Sequence, residues 1–202
     1  GGKDSRLLAT TLRARARRGD LNFTCALIHL DQHQPGFARA EFNAALARLG
    51  FDCTVISRDT WSVVEAQLRP GQIPCALCGR MRRGILNRWC AEHGFNKLAL
   101  GHHLDDAVET FLLNLLYGRR LDPLKPATPA RDLPVTTIRP LLLVEEARIV
   151  AWTQRHGLAP IACPVCDGYP DSRRRDLKAL IDGLRALQPD VHASVREALY
   201  GR

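Results

Sequence analysis

The 202-residue sequence has no apolar run near the roughly 20 residues that a bilayer-spanning helix needs. It also lacks the charged-then-apolar opening of a secretory signal. Both absences predict a soluble, cytoplasmic chain with no membrane among its partners. No internal repeat or low-complexity tract is present, so a single ordinary globular domain is expected, with a small appendage. Acidic residues are in deficit, 21 against 29 Lys plus Arg, for a formal charge of +8. Most of the excess is arginine, whose guanidinium forks onto phosphate oxygens. A polyanionic partner fits that balance, although a basic surface can also serve solubility alone. An initiator methionine is absent too. The chain opens at Gly1 on a glycine-rich turn with no strand before it, as an excerpt from a longer protein would. Finally, seven cysteines cannot all pair. Four form two C-x-x-C pairs, Cys75 with Cys78 and Cys163 with Cys166, a spacing that suits metal sites in a reducing compartment rather than a secreted disulfide framework.

What is present alternates between strand and helix. Apolar, β-rich runs at 23–30, 54–57 and 97–100 are separated by segments of helical period, the pattern of an α/β fold with a parallel sheet flanked by helices. Residues 38–49 and 82–93 read as helices closed by Gly50 and Gly94, where the exit needs positive φ. A longer helix begins at Leu104 and ends at Gly118. Its Leu104, Ala107, Val108, Phe111, Leu112, Leu115 and Leu116 share one face, predicted to pack on the sheet. Residues 122–134 hold four prolines and read as a loop. A strand over 138–143, a helix over 145–156 and an arginine-rich helix beyond Cys166 complete the plan. The predicted division is a catalytic domain over 1–160 and a cysteine motif with a basic helical segment over 161–202.

Three segments carry candidate chemistry. Gly1-Gly2-Lys3-Asp4-Ser5 opens a helix, so its glycine backbone N–H groups and the helix dipole would favour a phosphate. The G-x-x-x-x-G-K-[ST] spacing of a Walker A loop is absent. Gly101-His102-His103-Leu104-Asp105-Asp106 follows a predicted strand and starts a helix, where ligands bind in open α/β sheets. The paired carboxylates either complement the helix N-terminus or hold Mg²⁺ beside a phosphate. Asp31, at the end of the first strand, is either turn chemistry or a nucleotide contact. The two C-x-x-C pairs suit a structural four-thiolate zinc or an iron-sulfur cluster, and spacing does not separate them. Arg80, Arg82 and Arg83 follow the first pair directly. Cys25, Cys53 and Cys90 lie in apolar surroundings and read as small core residues.

The joint pattern GGKDS, LDQHQPGF, PCALCGRMRRGILN, GHHLDDAVET, PVTTIRPLLL and CPVCDG, spread over nearly the whole chain, resembles the tRNA 2-thiocytidine synthetases of the PP-loop class. The leading serine of the PP-loop and the strand before it lie outside this sequence. The stretches at Asp167 and Asp171-Ser172-Arg173 depart from the family pattern and bear on tRNA contacts. The resemblance implies ATP and Mg²⁺ at Gly1, Gly2, Lys3, Asp4, Ser5, Asp31, Gly101 and Asp106. It also implies a 4Fe-4S cluster on Cys75, Cys78 and Cys163, with one iron open to incoming sulfur and Cys166 as an auxiliary thiol. The substrate would be tRNA, modified at cytidine 32 of the anticodon loop, with a cysteine-desulfurase-type sulfur donor and a homodimeric enzyme. Candidate tRNA-backbone contacts are Arg80, Arg82, Arg83, Arg119, Arg120, Arg173, Arg174 and Arg175. Lys3 and Asp106, with the three cluster cysteines, are the candidate catalytic groups. The absent first strand would lie centrally in the sheet, so these 202 residues alone are expected to be unstable or inactive.

Overall fold

The computed structural model describes residues 2–19, 21–69, 72–158 and 172–201, the side chains of 172–175 excepted. Helix α1, Lys3–Arg18, starts after Gly2 in extended backbone, carries Asp4 in its first turn and Arg15, Arg17 and Arg18 in its last, and stops at Gly19 with φ 70°. Both charge placements complement the helix dipole. Strand β1, Leu27–Asp31, pairs in parallel with β2, Cys53–Ser57, from Leu27 opposite Cys53 to Asp31 opposite Ser57. The crossover is α2, Arg39–Leu49, which closes on Gly50 at φ 59°. Next come α3, Trp61–Gln67, and α4, Cys75–Glu92, which exits at Gly94 with φ 75°. Strand β3, Lys97–Ala99, pairs in parallel with β5, Thr136–Ile138, which also pairs antiparallel with the edge strand β4, Ala127–Pro129. Helices α5, Leu104–Leu116, α6, Glu146–Arg155, α7, Ser172–Leu187, and α8, Val191–Tyr200, make up the rest. This is the predicted α/β class with parallel pairing.

Four elements differ from the sequence expectation. Helix α4 begins at Cys75, not at residue 82. Pro74 leads into it with its fixed φ, and Gly79 and Gly84 are carried inside the helix. The strand expected over 138–143 spans Thr136–Ile138 instead, because Pro140 cannot donate to a ladder. Leu141 and Leu142 are buried in the turn that follows. The proline-rich loop contains β4, whose edge position tolerates its proline. The apolar face of α5 packs on helices: Leu104, Val108 and Leu112 meet Ile181 of α7 and Val195 of α8.

The main core places Leu86 and Cys90 of α4 against Leu30 of β1, Leu98 of β3 and Val135, so α4 spans both sheets. At roughly 1.5–3 kcal/mol for each large apolar side chain buried, this layer stabilises both sheets through one helix. Leu8 of α1 packs with Leu141 and with Ile149 of α6. Among the described residues, the two sheets are not hydrogen-bonded to each other. Between them lies a cavity of about 1470 Å³, lined by β1, β3, α1 and α4.

Candidate nucleotide and thiolate site

The site lies where β1 and β3 end and α1, α4 and α5 begin. Contact between α1 and the loop after β3 depends on glycine at 101. A Cβ there would lie 3.0 Å from the Asp4 carbonyl carbon and 3.2 Å from the Asp4 carbonyl oxygen. Backbone therefore packs on backbone where the Asp4 and Gly101 segments meet. Ser5, Asp4, Gly101, His102 and Asp106 all line the cavity.

Lys3 Nζ lies 2.7 Å from Glu146 Oε1 and 3.1 Å from Asp4 Oδ1. Burial alone would lower the pKa of this ammonium, but hydrogen bonds to Glu146 and Asp4 outweigh burial and raise it. Lys3 thus stays charged beside the predicted phosphate cradle.

The adjacent carboxylates Asp105 and Asp106 make different contacts. Asp106 Oδ2 accepts the His103 backbone N–H at 3.0 Å in a capping box at the start of α5. It also lies 3.4 Å from His103 Nε2 and faces the cavity. Asp105 points the other way. Its Oδ2 accepts the Glu146 backbone N–H at 2.7 Å, and its Oδ1 lies 3.0 Å from His192 Nε2 and 3.4 Å from Arg185 Nη2. Burial lowers the His102 pKa, Asp106 opposes that shift, and Arg139, Arg83 and Arg82 reinforce it, so His102 is neutral at pH 7.

Asp31 is 4% exposed. Its Oδ1 accepts the His33 N–H at 3.0 Å and its Oδ2 pairs with Arg39, which leaves the carboxylate engaged in the turn after β1. His33 takes φ 58° within that turn. The same turn reaches the first cysteine pair. Gln34 Nε2 donates to Cys78 Sγ at 3.3 Å, the Cys78 thiol donates to Gln32 Oε1 at 3.5 Å, and Gln32 Nε2 donates to Thr60 Oγ1 at 2.7 Å.

Cys75 and Cys78 occupy the first turn of α4 at i and i+3, hence one face. Cys75 is exposed and Cys78 half-buried. Two thiols on an accessible helix start, with amide groups at one sulfur, fit the donor chemistry of a cluster or a zinc ion. Cys163, Cys166 and Gly1 lie outside the described residues, and among those described no three His, Cys, Asp or Glu side chains converge as a metal site. Arg80, Arg82 and Arg83 are exposed on α4, and the last two line the cavity.

Arg119 and Arg120 do not join this cluster. They follow the C-terminal end of α5, which lies about 15 Å from Asp106 at 1.5 Å per residue. Arg120 pairs with Asp122 at 3.7 Å and donates to Asn114 at 3.3 Å. The side chains of Arg173, Arg174 and Arg175 lie outside the described residues. Cys90 is buried in the core as predicted, whereas Cys25 is exposed in irregular chain. Glu146 and the contact of Gln34 with Cys78 were not anticipated from sequence. Glu146 reads in sequence only as a first-turn acid on α6, and nothing local marks it as a partner of Lys3.

Residues 1–162 match the PP-loop domain family. The chain is 37% identical to the tRNA-cytidine(32) 2-sulfurtransferase of Alkalilimnicola ehrlichii, over 98% of its own length and 63% of that relative's. It is 36% identical to the enzyme of that name from Methylococcus capsulatus, over 98% and 69%. The structure resembles the U34-tRNA thiolase NcsA from Methanococcus maripaludis, solved with its [4Fe-4S] cluster, at a TM-score of 0.74 and 24% identity, covering 96% of this chain and 66% of that one. At that identity the likeness establishes the fold.

Proposed function

Since the chain belongs to the PP-loop family and, within it, to the tRNA-cytidine(32) 2-sulfurtransferases, we propose that it forms the ATP-using core of an enzyme that thiolates cytidine 32 of the tRNA anticodon loop. The observation that carries this reading is convergence. The Gly101–Asp4 backbone contact joins the phosphate-loop residues to Asp106, and the cavity they line is also lined by Arg82 and Arg83, on the helix that starts with Cys75 and Cys78.

The C2 carbonyl of cytidine has no leaving group. Its oxygen would attack the α-phosphorus of ATP, and the bond to pyrophosphate would break. Sulfide then adds to C2, the C2–O bond breaks, and AMP departs with that oxygen. An ammonium has three donors. On Lys3 they face the Glu146 carboxylate at 2.7 Å and the Asp4 carboxylate at 3.1 Å, and a remaining donor would face the charge growing on pyrophosphate. Asp4 and Asp106 would hold Mg²⁺ with phosphate oxygens, the coordination Mg²⁺ favours beside a nucleotide. Cys75 and Cys78, together with Cys163, would hold a 4Fe-4S cluster, which when bound supplies an iron position for sulfide. Gln32 and Gln34 orient the Cys78 sulfur. Arg80, Arg82 and Arg83 would grip the anticodon-loop backbone while the target base leaves its stack, which costs little in a loop. Arg173 to Arg175 would extend that grip, and Arg119 and Arg120 would meet tRNA away from the reacting base. A desulfurase-type sulfur donor, a homodimer and a cytoplasmic setting complete the proposal.

The test is tRNA-dependent release of AMP and pyrophosphate by the intact protein, measured with metal content. Asp106→Ala should cut AMP formation by about 100-fold or more and leave iron content unchanged. Cys78→Ser should lose both iron and thiolation. Normal AMP formation in Asp106→Ala, or full iron and thiolation in Cys78→Ser, would overturn the assignment.

A further inference from the structure

Glu146 opens α6 and contributes no residue to either sequence motif of the nucleotide site, yet it makes the shortest contact to Lys3, 2.7 Å. Its own position is fixed from the opposite side, because its backbone N–H donates to Asp105 Oδ2 at 2.7 Å. The other oxygen of Asp105 is clasped by His192 on α8 and Arg185 on α7, and Arg185 and His192 touch each other at 3.3 Å. His192 is 6% exposed. Beneath this cluster, Leu104 and Val108 of α5 pack on Ile181 and Val195, while Ile149 of α6 packs on Leu8 of α1. An unbroken set of contacts therefore runs from the two C-terminal helices through Asp105 and Glu146 to the ammonium of Lys3.

We propose that Glu146 is a positioning residue for Lys3, and that Asp105 is the pivot through which α7 and α8 set that position. The inference rests on the phosphate role of Lys3 given above. A free lysine side chain samples many rotamers and loses that freedom when held. Paired beforehand with Glu146 and Asp4, Lys3 presents its ammonium without reorganisation during the reaction, which is the condition for effective electrostatic stabilisation. Asp105 consequently serves geometry rather than metal, although it adjoins Asp106 in sequence.

The test uses the intact protein with Glu146→Ala, Glu146→Gln, Asp105→Ala, Asp105→Asn and Lys3→Ala. The first readout is the side-chain ¹⁵N spectrum of the lysines, of which this chain has four. An ammonium held by two carboxylates exchanges its protons slowly and gives a sharp signal, so the Lys3 signal should be lost or broadened in Glu146→Ala and Asp105→Ala. Glu146→Gln and Asp105→Asn keep an acceptor oxygen and should restore it at least in part. The second readout is the kinetics of tRNA-dependent AMP formation. Glu146→Ala and Asp105→Ala should lower kcat about 10- to 100-fold, with KM for ATP changed by less than about 3-fold, as a misplaced catalytic group does. An unchanged Lys3 signal and an unchanged kcat in Glu146→Ala would overturn the proposal. So would equal kinetic loss in the alanine and conservative variants. Normal turnover in Lys3→Ala would instead remove the phosphate role of Lys3, and this inference with it. A dead Lys3→Ala beside an unaffected Glu146→Ala would leave the proposed function standing and sink this inference alone.

Discussion

At the level of single residues, close approach decides what position 101 can hold. An alanine Cβ at 101 would sit 3.0 Å from backbone that cannot swing aside, so α1 or the loop after β3 must move. Gly101→Ala should cost about 1–3 kcal/mol, as overpacking does, and should weaken ATP binding more than tRNA binding, which calorimetric titration of each ligand would read. His29 makes a second residue-level prediction. It clusters with Phe37 and Phe42, stacked on the first at 5.2 Å between ring centroids and tilted against the second at 4.2 Å, and its Nε2 is buried without a hydrogen-bond partner. Burial pushes its pKa down from 6.5 to about 4. Between those values the unfolded chain binds the proton and the folded chain does not, so stability is full above pH 6.5 and falls as pH drops toward 4. The loss should reach up to about 2 kcal/mol, reduced by solvent screening at this half-buried site. His29→Phe should flatten that part of a urea-unfolding pH profile, and an unchanged profile would remove His29 as its cause. Lys3 and Asp106 were legible in the sequence because a glycine turn and a helix-start acid pair carry local signals. The partnership of Lys3 with Glu146 was not, since residues so far apart in sequence meet only through the packing of α1 on α6.

Among the elements, α4 concentrates the most chemistry: two thiols in its first turn, three arginines in its second and third, and core side chains in its second half. Its start falls at Cys75 rather than at the residue 82 expected from sequence, so Gly79 lies inside the helix as Gly84 does. In the structure, helix continuity is set by the core it covers, which outweighs the ~1 kcal/mol that each interior glycine costs. A Cβ at Gly84 would meet nothing within 4 Å. Gly84→Ala should therefore stabilise the protein by about 0.5–1 kcal/mol in thermal or urea unfolding. If stability rises as predicted while tRNA affinity falls, the bare helix face at 84 is a substrate contact. If stability falls, the packing described for α4 is wrong. The strand near 138 was shifted for a different reason: apolar alternation continues through Leu141 to Leu143, but Pro140 ends the ladder and diverts those residues into a buried turn. The partners of α5 were illegible because a helical stripe shows that a face is buried without showing what buries it.

For the molecule as a whole, the α/β class and parallel pairing followed from alternating strand and helix periods. The formal charge of +8 becomes specific only once α4 places Arg80, Arg82 and Arg83 beside the cysteines. If these arginines contact phosphates, the logarithm of tRNA affinity should fall linearly with the logarithm of salt concentration, and Arg82→Ala and Arg83→Ala should each reduce the slope by about 1. An unchanged slope in both variants would move the tRNA to another face. The central claim, that this fold couples ATP cleavage to thiolation of a tRNA cytidine, is tested most directly by nucleoside mass spectrometry. The intact protein, reconstituted anaerobically with iron and sulfide, is incubated with unmodified tRNA and sulfide, with and without ATP. The account predicts 2-thiocytidine at position 32 only when ATP is present. Thiolation without ATP, or none with ATP in a protein of full iron content, would contradict it.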